Sequence, residues 1–233
     1  MYLRLFQIGE DREIINRNIR KLFVLSSLTG RVRSSIETTF EHDIKQLNKV
    51  GDIERFVDTL EHQLLGDVFW TSTLPDRMDI TNTGNAYWNT FVAAQKKLGD
   101  DSFLRNDNKV KDLTTGDIHH IFPQTYCEKN NLPRIKWNSV INKTPIYASS
   151  NRSIGGHAPS TYIGTMANKG LKQVEIQEAI ESHKVSYAHL ALDDFNAYFI
   201  DRAIKLLNRV EKATGKVVTG RDSQETVDAY GVS

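Results

Sequence analysis

Asp117–Gln124 reads DIHHIFPQ, and downstream lie Asn142 within INKTPI (141–146) and Asn151 within SSNRSIGG (149–156). Thr114, Thr115 and Gly116 mark a turn, IHHIF is a short apolar strand, and Pro123 stops it. TPIYA (144–148) is a second candidate strand, and Ser149 or Ser150 is placed to cap a short helix carrying Asn151 and Ile154. The local order is therefore strand, irregular loop, strand, helix. Two adjacent histidines and two spaced asparagines on that frame point to hydrolysis at a phosphate. Histidine titrates near neutrality and can take a proton from water, while the other polar groups orient it and hold a hard divalent cation.

The flanking sequence is helical. Ile14, Ile15, Ile19, Leu22, Phe23 and Leu25 give one buried face to a helix over 10–28, which Gly30 ends. Ser34 and Glu37 form a candidate capping box for Ile36, Phe40, Ile44 and Leu47. Asp52 starts a third helix with Ile53, Phe56, Val57, Leu60, Leu64 and Leu65, and 84–98 reads as a fourth. Residues 71–83 read as a loop. After Pro159 helices return over 174–180 and from Leu192 to about Thr214, where Phe195, Tyr198, Phe199, Ala203, Leu206, Leu207 and Val210 make the apolar face and Gly215 the stop. The polar tail from Thr219 is expected to fray. The expected fold class is mainly α, a helical scaffold with a small embedded ββα unit.

The 233 residues carry a formal charge of +1, which averages over an uneven distribution. From Asp101 to Lys172 there are ten Lys or Arg against five Asp or Glu. This local excess suits a polyanion, although an ordinary solvated surface also accommodates it. Cys127 is the single cysteine, so no intramolecular disulfide or cysteine-rich zinc site forms. No apolar run approaches the ~18–20 residues of a membrane span, and the N-terminus lacks the pattern of a secretory signal. A cytoplasmic protein without a membrane partner is expected.

DIHHIFPQ, INKTPI and NRSIGGHAPSTYI together resemble the HNH nuclease segment, the ββα-metal or His-Me finger, at the C-terminal end of GmrSD-type modification-dependent restriction endonucleases. RKLFVLSSLTGR (20–31) and the acidic helix after it resemble the helical region upstream of that segment. The resemblance implies a helical region over 1–100, the nuclease segment over 101–170, C-terminal helices over 171–218 and a flexible tail over 219–233. It implies His120 as the general base and Asn142 as the residue that fixes the loop and orients that base. His119 and Asn151 fall on its metal-binding positions. Many members carry a carboxylate where His119 stands, and Asp117, two residues away on the same strand face, offers one in its place. Asp117 equally suits a turn-capping role at Gly116, and both asparagines are also ordinary turn or cap residues.

Arg152, Lys143 and Lys169 are candidate phosphate contacts, with Arg152 first because it adjoins Asn151. Magnesium is the first expected cofactor, with manganese or nickel suited to an imidazole ligand. Double-stranded DNA is the implied substrate, and a homodimer in the full-length protein is the implied route to paired cuts. The family's N-terminal nucleotidase-like half carries a DGQQR string that is absent here, so that sensor half is expected outside this chain. Two rivals stand beside this reading. One is a non-catalytic helical module for DNA binding or protein docking with a decayed nuclease segment, and the other is a structural zinc site built on His119, His120 and His157.

Overall fold

The protein, seen here as a computed structural model, is described over residues 11–31, 36–76, 101–103, 105–109 and 117–231, with Met78 and Val92 besides. Of the expected helix over 84–98 only Val92 is described, and it is helical; the Ser34 cap lies outside the described residues. The architecture is mainly α.

Helix α1 (Arg12–Thr29) starts where Asp11 accepts hydrogen bonds from the Glu13 and Ile14 amides. It ends at Gly30, whose φ of 65° is the left-handed conformation that glycine adopts without penalty. Helix α2 (Ile36–Val50) is joined to the chain end of α1 by a two-pronged ion pair, Arg31 to the buried Asp43 at 2.5 Å. Helix α3 (Ile53–Leu64), capped by Asp52, packs against α1 and buries Phe56, Val57 and Leu60. Lys21 bridges the same two helices through Asp58 and Glu61. The loop expected from residue 71 is instead helical at its start: a π-helical turn occupies Phe69–Thr73 and a short helical turn Leu74–Asp76. Trp70 and Leu74 are buried there, so apolar packing outweighs the turn-forming composition.

Strands β1 (Asp101–Ser102) and β2 (Arg105–Lys109) pair antiparallel. A second antiparallel pair joins β3 (Asp117–His120) to β4 (Lys143–Ile146), with Asp117 opposite Ile146, His119 opposite Thr144 and His120 opposite Lys143. The strand expected over IHHIF thus begins one residue earlier and stops at His120. Between β3 and β4 run α4 (Gln124–Lys129), α5 (Arg134–Trp137) and a 3-10 turn over Val140–Asn142. Helix α6 (Ala148–Ile154) follows β4 directly and completes a ββα unit. Tyr147 rather than a serine stands at its N-cap.

Helices α7 (Pro159–Asn168), α8 (Gln173–Ser182), α9 (Tyr187–Ala191) and α10 (Phe195–Thr214) close over this unit. The last begins three residues later than its apolar period suggests. Asp193 turns through a φ of 53° and its carboxylate accepts from the Ser160 amide and hydroxyl, while Asp194 caps Ala197. The tail expected to fray carries a helix: Gln224–Tyr230 forms α11, capped by Ser223, and Tyr230 is buried with its hydroxyl on the Pro75 carbonyl. One apolar core runs from Ile15, Leu25 and Phe56 through Phe122 and Tyr162 to Phe199 and Val218. Helices and ββα unit are therefore packed on shared side chains, each fully buried Leu, Ile or Phe contributing ~1.5–3 kcal/mol.

Candidate functional site

Strand alternation sends Asp117 and His119 to one face of β3 and His120 to the other. Helix α6 packs against β3 and brings Asn151 to the first face. There the Asn151 amide joins both neighbours, its Nδ2 donating to Asp117 Oδ2 at 2.9 Å and its Oδ1 lying 3.0 Å from His119 Nδ1. Because an amide oxygen only accepts, His119 donates from Nδ1 and keeps its lone pair on Nε2. That nitrogen is buried and has no hydrogen-bond partner among the described residues. Phe103 and Tyr162 flank the His119 ring. Burial pushes its pKa down to about 3, against the opposing hydrogen bond that it donates to Asn151, so the ring is neutral at any working pH.

On the other face His120 is half-buried, with Nε2 3.1 Å from Asn138 Oδ1 and the Trp137 ring packed edge-on at 5.8 Å. Its pKa lies below the ordinary histidine value, chiefly through burial and further through the nearby Lys143 ammonium. Lys143, opposite His120 in register, is itself buried, and its own pKa is lowered by that burial.

Asn142 touches neither histidine. It is fully buried and clamps the connection after β3, its Oδ1 accepting from the Phe122 amide and its Nδ2 donating to the Phe122 and Trp137 carbonyls. The Ile121 amide adds a bond to the Asn142 carbonyl at 2.9 Å. This residue thus ties the backbone just after His120 to that of Trp137.

Asp117, His119 and Asn151 are thus gathered by direct hydrogen bonds, and His120 and Lys143 by strand register. Arg152 follows Asn151 on α6 and is exposed. Lys169 is also exposed, caps the C-terminal end of α7, and shows no contact with these residues among the described ones. His157 is exposed beside Gly155 and does not join His119 and His120. Among the described residues no three His, Cys, Asp or Glu side chains converge; a metal set here needs the Asn151 amide as its third donor. The two glycines after α6 have different uses. Gly155 adopts a positive φ of 58°, while a Cβ on Gly156 would meet Thr125 Cβ at 2.9 Å, so α4 approaches there as closely as glycine allows.

Other participants carry little sequence signal. Asn138 follows a four-residue helix and reads as a generic turn residue. Tyr198 donates to the Ile141 carbonyl and Asn142 Oδ1, and Arg202, one turn on, donates to the carbonyls of Ile141, Lys143 and His183. His183 is buried and hydrogen-bonded to Thr144 on β4. Tyr162 donates to the Ile121 carbonyl at 2.9 Å. Apolar periodicity marks Tyr198 as a core position, but its hydroxyl contact is invisible to it.

No family model and no solved structure matches this chain. An uncharacterized protein of Methanocaldococcus jannaschii is 33% identical over 76 residues, which are 29% of this chain and 13% of that relative. The chain thus matches a small part of a much longer protein.

Proposed function

We propose that this chain is a metal-dependent HNH endonuclease that hydrolyses a phosphodiester of duplex DNA. The observation that carries the reading is the joining of Asp117, His119 and Asn151 by hydrogen bonds on a ββα unit, with half-buried His120 on the opposite face at the last residue of the same strand, so the phosphate is expected to lie across that strand end. The donor types suit a divalent ion, but His119 presents Nδ1–H to Asn151 and Asn151 presents Nδ2 to Asp117, so these side chains must turn for the His119 lone pair and the two oxygens to face one ion. A carboxylate and an amide oxygen stand beside an imidazole that burial keeps unprotonated, so the ring's lone pair is not lost to a proton. Asp117, His119 and Asn151 would hold the ion, magnesium first and manganese or nickel as alternatives. When bound it supplies positive charge to the phosphate oxygens and to the leaving oxygen.

The remaining work belongs to the chain. His120 accepts a proton from the water whose oxygen bonds to phosphorus, the P–O3′ bond breaks, and the 3′ oxygen takes a proton from solvent, leaving 5′-phosphate and 3′-hydroxyl ends. Lys143, beside His120, and exposed Arg152 offer positive charge to the phosphate. Asn142 holds the backbone that carries the base. The resemblance to GmrSD-type enzymes extends the proposal to an effector half of a cytoplasmic modification-dependent defence protein, with the sensor half on a separate segment and a homodimer for double-strand breaks.

The test is conversion of supercoiled plasmid to open circles with Mg²⁺, Mn²⁺ or Ni²⁺, and with EDTA, followed by DNA ligase. Metal-dependent nicks that ligase reseals are expected. Nicks that ligase leaves open contradict the hydrolysis written above, and DNA binding without cleavage under every metal supports a non-catalytic module.

A further inference from the structure

We infer that Asn138 is the positioning residue of the base, holding His120 as the Nε2–H tautomer so that Nδ1 is the nitrogen that takes the proton. The inference rests on the nuclease reading for its functional meaning, but its structural core stands on the contacts of one short segment. Helix α5 and the residue after it make three contacts around the base. The Trp137 ring packs against the His120 ring. The Trp137 carbonyl accepts from Asn142 Nδ2 at 2.8 Å, which ties the segment to the loop clamp. Asn138 Oδ1 lies 3.1 Å from His120 Nε2. An amide oxygen has no hydrogen to give, so the bond forms only if Nε2 carries the proton, and in a neutral imidazole the lone pair then sits on Nδ1.

Asn138 is well suited to the task. Its backbone amide bonds to the Arg134 carbonyl at 2.9 Å, which anchors the residue at the end of α5. Pro133 starts that helix, and Trp137 is buried. Asn138 thus sits at the end of a short, anchored turn, while the other histidine of the pair is fixed by a separate amide, Asn151. Each histidine therefore has its own asparagine, one on α6 for the candidate metal face and one after α5 for the base.

Ring-nitrogen NMR of ¹⁵N-histidine-labelled protein in EDTA tests this without activity. The His120 signals, assigned by their loss in His120→Gln, are expected to show a protonated Nε2 and an unprotonated Nδ1. A protonated Nδ1 overturns the inference. In Asn138→Leu the two tautomers are expected to mix, whereas Asn138→Asp, which still accepts, is expected to keep the Nε2–H form; an unchanged tautomer in Asn138→Leu also overturns it. With plasmid as substrate, Asn138→Leu is expected to lower kcat about 10- to 100-fold with KM nearly unchanged, and Asn138→Asp to recover part of that loss. A loss confined to KM overturns the positioning role. If the wild-type chain shows the expected tautomer and cuts no DNA with any metal, the nuclease reading fails and the assignment of Asn138 as the partner of His120 stands.

Discussion

Asn142 accepts from the Phe122 amide and the Tyr198 hydroxyl and donates to two backbone carbonyls. Asn142→Ala strips those partners inside the core, where water does not replace them. The expected loss is about 2–4 kcal/mol in a urea melt, and a loss under about 0.5 kcal/mol would contradict the clamp. Cys127 is the contrasting residue: buried, with its thiol pushed up to about 12 by burial. A thiol reagent at pH 8 is expected to label it only as fast as the protein unfolds, and immediate stoichiometric labelling would refute the burial. The sign of the linkage follows. The unfolded thiol ionises near 9 while the folded one holds its proton to about 12, so this group lowers stability as pH rises through that interval. At this scale His119, His120, Asn142 and Asn151 were legible because their residue types and spacing form a pattern. Asn138 was not, since an asparagine ending a short helix is explained by the turn alone. Nor could sequence show that Asp117 and His119 share one amide, because that depends on how α6 folds back on β3.

Helix α10 is the element that holds the site from behind. Tyr198 and Arg202, four residues apart on one face, reach the carbonyls of Ile141 and Lys143 on either side of Asn142. Arg202→Met keeps most of the buried volume but removes the guanidinium donor from the carbonyls of Ile141, Lys143 and His183, leaving Tyr198 on Ile141. The expected cost is about 3 kcal/mol by denaturant unfolding, with weakened amide protection over 141–144 in hydrogen exchange. Full protection in the variant would show that α10 does not brace the site. The apolar face of α10 is readable from a helical period, since Phe195, Tyr198, Phe199, Leu206 and Leu207 all fall on it. Its first residue is not, because Leu192 continues the period while Asp193 turns through a left-handed conformation that ends it. The short turns at 69–76 escaped for a related reason: their composition favours loops, and only the burial of Trp70 and Leu74 makes them helical.

Over the whole molecule the core is continuous, and the C-terminal segment belongs to it. Tyr230 packs against Phe199 and bonds to the Pro75 carbonyl, linking the end of the chain to its first third. Tyr230→Ala is expected to cost about 3 kcal/mol and lower the thermal midpoint by several degrees, and an unchanged midpoint would mean that α11 is dispensable. The polar composition after Thr219 concealed this, because one aromatic residue among charged ones carries no period. Among the described residues no helix is long and apolar enough to cross a membrane. The reading as a metal-dependent nuclease is tested most directly by the rate of plasmid nicking at saturating Mg²⁺ or Mn²⁺ for the wild-type chain beside His120→Ala. A metal-dependent rate that falls at least about 100-fold in the variant is the expected result. Equal rates in the two proteins, or cleavage that persists in EDTA, would contradict it.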